Sequence, residues 1–217
     1  MDIDYTTYRS PNFNERAPDM KGAPYMIILH YTGRPSAEEA ATDWLCNPEK
    51  EVSAHYLIDE NGAVFNLVDE DKRAWHAGCS YWQGETDINS ASIGIEIQNP
   101  GEEFGYSAFP NEQIASVIGL CKNITKRFEI KNMLAHSDIA PGRKADPGAL
   151  FPWAELAAHD LGVYPDPITV SDSFDRYKAL IKLGYNPELP EDVLWEAFKL
   201  HYPDQPLERL AALVQAR

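Results

Sequence analysis

Leu134-Ala135-His136-Ser137-Asp138-Ile139-Ala140-Pro141-Gly142-Arg143-Lys144-Ala145-Asp146-Pro147-Gly148 puts a histidine, a lysine and an aspartate on one short segment. Pro141, Gly142, Pro147 and Gly148 forbid regular structure across most of it, and no helix is expected there. The segment reads as an ordered loop between two regular elements, where a rigid scaffold tends to carry its chemistry. His136 and Asp146 supply two ligands to one metal ion if a third comes from elsewhere in the chain. Taken alone, the stretch fits equally a polar loop in which both residues only cap and turn.

Upstream, residues 25–31 are apolar up to His30, which predicts a strand buried on both faces. Ser36 is placed to cap a helix running to about Leu45, stopped by Asn47-Pro48. Residues 52–59 and 63–68 flank Asn61-Gly62, a strong hairpin signal. His55, in the first of those runs, reads as a satisfied half-buried histidine rather than a metal ligand. Residues 92–98 alternate strictly, so Ile93, Ile95 and Ile97 share one face and Glu96 takes the other. Ile114, Val117, Ile118, Cys121 and Ile124 form an amphipathic stripe on a helix from about 110 to 128.

A further helix is expected from Phe151 to about Leu161, and Tyr164-Pro165-Asp166-Pro167 is a stiff linker. Three short helices follow it. Residues 1–24 read as an extended arm. The alternation of strands and helices predicts an α/β domain, a mixed central β-sheet flanked by helices, over residues 1–167, arm and proline-rich exit linker included. A small all-α helical domain is expected at 168–217.

The 19 basic residues against 34 acidic ones leave a net charge of −15, which excludes nucleic acid and anionic membrane surfaces as partners. No run approaches the ~20 apolar residues of a membrane span, so no membrane insertion is expected. The first residues lack the basic and apolar regions of a secretory signal. A cytoplasmic location follows as the expectation, or a periplasmic one if a signal has been removed. Cys46, Cys79 and Cys121 are an odd set at unpatterned spacing, which fits a reducing compartment. Only Cys79, near two histidines, merits consideration as a ligand. No obligate protein partner is evident.

Five segments carry a resemblance: Ile28-Leu-His30-Tyr-Thr32, Ser53-Ala-His55-Tyr-Leu-Ile58, Arg73-Ala-Trp75-His76-Ala-Gly78, Ser92-Ile-Gly-Ile-Glu96 and the 135–148 stretch. One alone is weak; five in this order, across residues 20–165, are specific. They resemble the zinc-dependent N-acetylmuramoyl-L-alanine amidases of the amidase-2 family, whose fold peptidoglycan recognition proteins share. The nearest likeness is the Gram-negative subgroup acting on muropeptides. Lys182-Leu-Gly-Tyr185 and Trp195-Glu-Ala-Phe198-Lys-Leu-His201-Tyr-Pro203 are similar to the helical, peptidoglycan-binding-like domain of one periplasmic member.

The resemblance implies one Zn2+ per chain on His30, His136 and Asp146, with a fourth position left for water. It implies Glu96 as general base and Lys144 beside a developing oxyanion. It places His76 at the cleft against substrate; Trp75 and Asn89 are candidates for contact with sugar or peptide, and the planar fork of Arg143 suits a stem-peptide carboxylate. Tyr81 and Trp82 are further aromatic candidates, though aromatics are more often core. His159 and His201 read as ordinary surface or helix histidines. The implied function is hydrolysis of the amide between N-acetylmuramic acid, or its 1,6-anhydro form, and L-alanine of the stem peptide, in cell-wall turnover or recycling. The implied partners are muropeptides or peptidoglycan fragments. The alternative is a non-catalytic recognition module on the same fold; binding-only relatives lack part of the ligand set, which is complete here.

Overall fold

The computed structural model describes residues 2–18 and 23–216, so part of the expected arm lies outside the described residues. The rest of the arm is partly ordered by pairing. β1 (Phe13–Glu15) meets β5 (Lys72–Ala74) as a two-stranded antiparallel ribbon. Beyond it Arg16 is buried and donates to the carbonyls of Glu70, Asn89, Ser90 and Ser92. Burial pushes its guanidinium down to about 10.

The main sheet is five-stranded and mixed, as the alternation predicts. β2 (Met26–Tyr31) lies parallel between β6 (Ser92–Ile97) and β7 (Asn132–Ala135). β3 (Tyr56–Ile58) runs parallel to β6 and forms the expected hairpin with β4 (Val64–Asn66). The strand order is β4-β3-β6-β2-β7. Gly62 closes the hairpin at φ +81°, and a Cβ there would run into the Glu112 carbonyl.

α1 (Ala37–Glu39) is capped by Ser36, whose hydroxyl accepts from Glu39 N, and it continues as π-helical turns over Ala40–Leu45. α2 (Ile88–Ala91) and α3 (Gly101–Phe104) are single turns. α4 (Asn111–Thr125) carries the amphipathic stripe. One helical turn, α5 (His136–Ile139), opens the 134–148 stretch, where only loop was expected. The first proline falls at 141, so nothing in residues 136–139 opposes helical backbone. α6 (Trp153–Ala157) stops short of the expected Leu161. α7 (Arg176–Leu183), α8 (Glu191–His201) and α9 (Pro206–Gln215) are the C-terminal helices.

Strand alternation sorts the core into two layers. Ile27, Leu29, Ile93, Ile95 and Ile97 turn one sheet face toward Ile114, Val117 and Cys121 of α4. Met26, Ile28 and Leu134 turn the other face toward Leu180, Leu183, Leu194, Phe198 and Leu213. The C-terminal helices therefore share a hydrophobic core with the sheet, each fully buried aliphatic contributing about 1.5–3 kcal/mol. Among the described residues no helix is long and apolar enough to cross a membrane.

Candidate active site

The site grows out of the sheet register. On β2 the face shared with α7–α9 reads Met26, Ile28, His30; on β6 it reads Ser92, Gly94, Glu96. His30 pairs with Glu96 across those two strands. β7 pairs as far as Leu29↔Ala135, and the next residue is His136. Three neighbouring parallel strands thus deliver Glu96, His30 and His136 in one row at their carboxyl ends, where open α/β sheets bind ligands. Below that row the face is apolar at Met26, Ile28 and Leu134, with Ser92 the polar exception on β6.

Asp146 joins the row from the loop after α5, whose Asp146 carbonyl accepts from Ser137 N at 3.1 Å. Tyr106 steadies the loop exit: its hydroxyl donates to Pro147 O at 2.8 Å and accepts from Leu150 N at 3.0 Å. Three donor atoms converge. His30 Nδ1 and His136 Nδ1 are 2.9 Å apart, and Asp146 Oδ2 stands 3.1 and 3.0 Å from them. All three residues are buried.

Hydrogen bonds behind the rings fix their tautomers. Ser92 Oγ donates to Ile88 O at 2.6 Å, so it accepts from His76 Nε2–H at 3.2 Å. His76 Nδ1 is then left to accept from His30 Nε2–H at 3.1 Å, which leaves His30 Nδ1 as a bare lone pair. His136 Nε2–H donates to Ala77 O at 3.2 Å and bares its Nδ1 in the same way. Burial, then the neighbouring His136, hold His30 down to about 4, so it is neutral at pH 7.

Two imidazole lone pairs and a carboxylate oxygen pointing at one spot repel one another unless a cation sits among them. Tetrahedral ligands about 2.0–2.1 Å from a metal stand about 3.3 Å apart, a few tenths of an ångström wider than these donors. His30, His136 and Asp146 thus fit a metal ion.

Glu96 lies beside the triad, its buried Oε2 without a hydrogen-bond partner in the described structure. Burial, and then Asp146, raise its carboxyl well above the ordinary range, with Lys144 opposing. A buried carboxyl with a raised proton affinity in a cleft is a candidate for proton transfer. The cleft, of about 480 Å3, is lined by Glu96, His136, Asp146, Lys144, Trp75 and Arg143 among others. Arg34 and Trp44, which sequence reading passed over, also line it, with the Arg34 guanidinium 3.7 Å above the Trp44 ring. An arginine just past the carboxyl end of a site-bearing strand was the available signal.

The expected substrate contacts divide. Trp75 and Arg143 face the cleft, Arg143 anchored to the carbonyls of Ala77 and Cys79. His76 touches the cleft wall but is buried, and both its ring nitrogens are engaged behind His30. Asn89 does not line the cleft: its Oδ1 accepts from the amides of His76 and Ala77 at 3.0 and 2.8 Å, so its polarity serves the backbone under His76. Trp82 is buried in the core against Tyr185. His55 is wholly buried and satisfied, accepting from Gly94 N and donating to Lys72 O. Cys79 is exposed and outside the donor cluster. His201, expected as an ordinary helix histidine, is buried and bonded to Asp138.

Comparison with known proteins gives matches over most of the chain. The profile described as N-acetylmuramoyl-L-alanine amidase matches residues 20–149. The chain is 36% identical over 209 residues to N-acetylmuramoyl-L-alanine amidase AmiD of Escherichia coli, covering 82% of this chain and 74% of that one. It is 44% identical over 166 residues to the 1,6-anhydro-N-acetylmuramyl-L-alanine amidase AmpD of Citrobacter freundii, covering 69% and 86%. The E. coli AmiD structure in complex with anhydro-N-acetylmuramic acid-L-Ala-D-γ-Glu-L-Lys superposes with a TM-score of 0.78 at 32% identity, over 89% of each chain. AmpDh3 of Pseudomonas aeruginosa superposes with a TM-score of 0.79 at 30% identity, over 100% of this chain and 98% of that one.

Proposed function

The chain belongs to the N-acetylmuramoyl-L-alanine amidase family, and from that premise we propose that it hydrolyses the amide between N-acetylmuramic acid, in plain or 1,6-anhydro form, and L-alanine of peptidoglycan stem peptides, in cell-wall turnover or recycling. The observation that carries the reading is the convergence of His30, His136 and Asp146 beside the unpartnered Glu96 oxygen in one cleft. The metal is zinc, held by those three side chains. When bound there, zinc supplies Lewis-acid polarisation and lowers the pKa of water to about 7.

The protein's own groups do the rest. Glu96 takes a proton from the attacking water and returns it to the amide nitrogen as the C–N bond breaks, a transfer worth about 10²–10⁴ in rate. Its raised affinity for protons suits both halves of that task. Lys144 carries its ammonium on the cleft wall, where charge develops on the carbonyl oxygen. The products are a muramic sugar with a free lactyl carboxylate and a peptide with a free L-alanine amine.

Substrates of this class bear free carboxylates on the stem peptide. Arg34, Arg143 and Lys144 line the cleft, and none has a carboxylate partner among the described residues. In a chain of net charge −15 that concentration supports an anionic ligand. The three cysteines are unpaired, which supports a reducing compartment.

Mass spectrometry of an anhydro and a reducing-end muramyl tripeptide, with zinc, with chelator and with Glu96→Ala, tests the proposal. Zinc-dependent release of peptide beginning in L-alanine, lost in the variant, supports it. Intact substrate retained by a zinc-loaded protein refutes it in favour of a recognition module.

A further inference from the structure

Asp138 is two residues beyond His136 and 1% exposed, yet its carboxylate is fully used. Oδ2 accepts from Ala135 N at 2.8 Å, at the junction where β7 becomes α5 and His136 begins. Oδ1 accepts from the Tyr185 hydroxyl at 2.5 Å, and Oδ2 also meets His201 Nδ1 at 2.7 Å. Tyr185 follows α7 and His201 ends α8. Both donors therefore come from the C-terminal helices, from the segment that sequence alone sets apart as a separate domain.

The donors are themselves fixed. His201 stacks on Trp153 with ring centres 3.8 Å apart and on Tyr202 at 4.3 Å. Tyr185 packs edge-on against Trp82 at 5.0 Å. We infer that the C-terminal helices are part of the metal site's supporting shell, with Tyr185 and His201 acting through Asp138 as positioning residues for His136. The inference rests on the reading of His30, His136 and Asp146 as a metal site.

The logic is a lever. His136 Nδ1 must stay on the spot it shares with His30 and Asp146, while among the described residues its ring is hydrogen-bonded from behind only by Ala77 O. Its backbone direction is set where Asp138 grips the Ala135 amide. A buried carboxylate deprived of one donor turns to recover the bond. Turning Asp138 moves that grip, and with it the histidine. Partners behind a metal ligand change affinity by about 10–100-fold when lost.

The test uses the full chain, freed of metal and titrated with zinc against a chromophoric chelator. Cobalt(II) absorption serves as a probe of ligand geometry, and urea denaturation of the metal-free protein runs in parallel. Tyr185→Phe removes one hydroxyl and keeps the packing. His201→Leu removes the Nδ1 donor, and His201→Asn returns an N–H near its place. We expect Tyr185→Phe and His201→Leu each to weaken zinc at least tenfold and alter the cobalt bands, with His201→Asn recovering most of the affinity. Variants that lose stability to urea but bind zinc as wild type does, with unchanged cobalt bands, would make the helices a packing element only and overturn the inference. A wild-type chain that binds no zinc overturns the metal reading itself, an outcome separable from the other because the wild type is measured alone.

Discussion

Gly94→Ala is the smallest change that tests the hydrogen-bonded chain behind His30. Gly94 lies on β6 between Ser92 and Glu96, on the face that carries the site. A Cβ there would come closer than 3.0 Å to Cγ, Cδ2 and Nδ1 of His76, a distance real Cβ atoms do not reach. The ring has no room to yield without cost, because Ser92 Oγ and His30 Nε2 hold it at 3.2 and 3.1 Å. A shift of half an ångström along the second bond takes it past the useful range of a hydrogen bond. Two effects oppose each other. Replacing glycine stabilises by about 0.4–1 kcal/mol through the unfolded chain, whereas overpacking costs about 1–3 kcal/mol. The steric term wins, so the metal-free protein should lose about 1–2 kcal/mol in urea unfolding. Zinc affinity should fall about 10–100-fold as His30 loses the acceptor that fixes its tautomer. A variant with higher stability and wild-type zinc affinity would show that His76 does not press on Gly94 and that the chain through Ser92 is not what orients His30.

Glu96→Gln should keep zinc affinity and lower the turnover of a muramyl tripeptide about 10²–10⁴-fold, read by product release. Lys144→Met should shift the acid limb of the kcat/KM profile to higher pH, because Lys144 opposes the burial and the Asp146 charge that raise Glu96, and only the ionised Glu96 accepts a proton. Metal-free protein should lose stability as pH falls below 6.5 and go on losing it toward about 3. His55 is held down to about 3 by burial and by Arg16, so the unfolded chain binds its proton first; urea midpoints across that range check the sign. Arg34→Ala should raise KM for the stem-peptide substrate and flatten its dependence on salt, with kcat little changed.

Much of this was legible in the chain, and the unread parts share a cause. Strict alternation in residues 92–98 put Glu96 opposite the isoleucines, and the apolar run before His30 marked a buried strand. Together they foretold the row of site residues once the strands were neighbours. His76 was legible as a site residue but not as the partner of His30, because a tautomer depends on a donor and acceptor set by Ser92 and Ile88. Asn89 looked like a polar loop residue facing ligand; two backbone amides claim it instead. Helical periodicity in 176–215 showed which faces of α7–α9 are apolar without showing that the sheet covers them. His201 and Arg16 were missed for a related reason: nothing in the local sequence says that a lone polar side chain will be taken inside.

The shared core also bears on how the chain is made. β2 is synthesised well before its partners Ser92 and Asn132 and the helical layer over Met26 and Ile28. A nascent chain carries an open sheet face until α9 has left the ribosome, and such long-range pairings form slowly. Until α8 has emerged Asp138 lacks at least one of its two helical donors. The chain is therefore expected to gain full metal-binding competence only once α8 has emerged, and chains cut short before it should pass through the cell as clients of chaperones rather than as weakly active hydrolases.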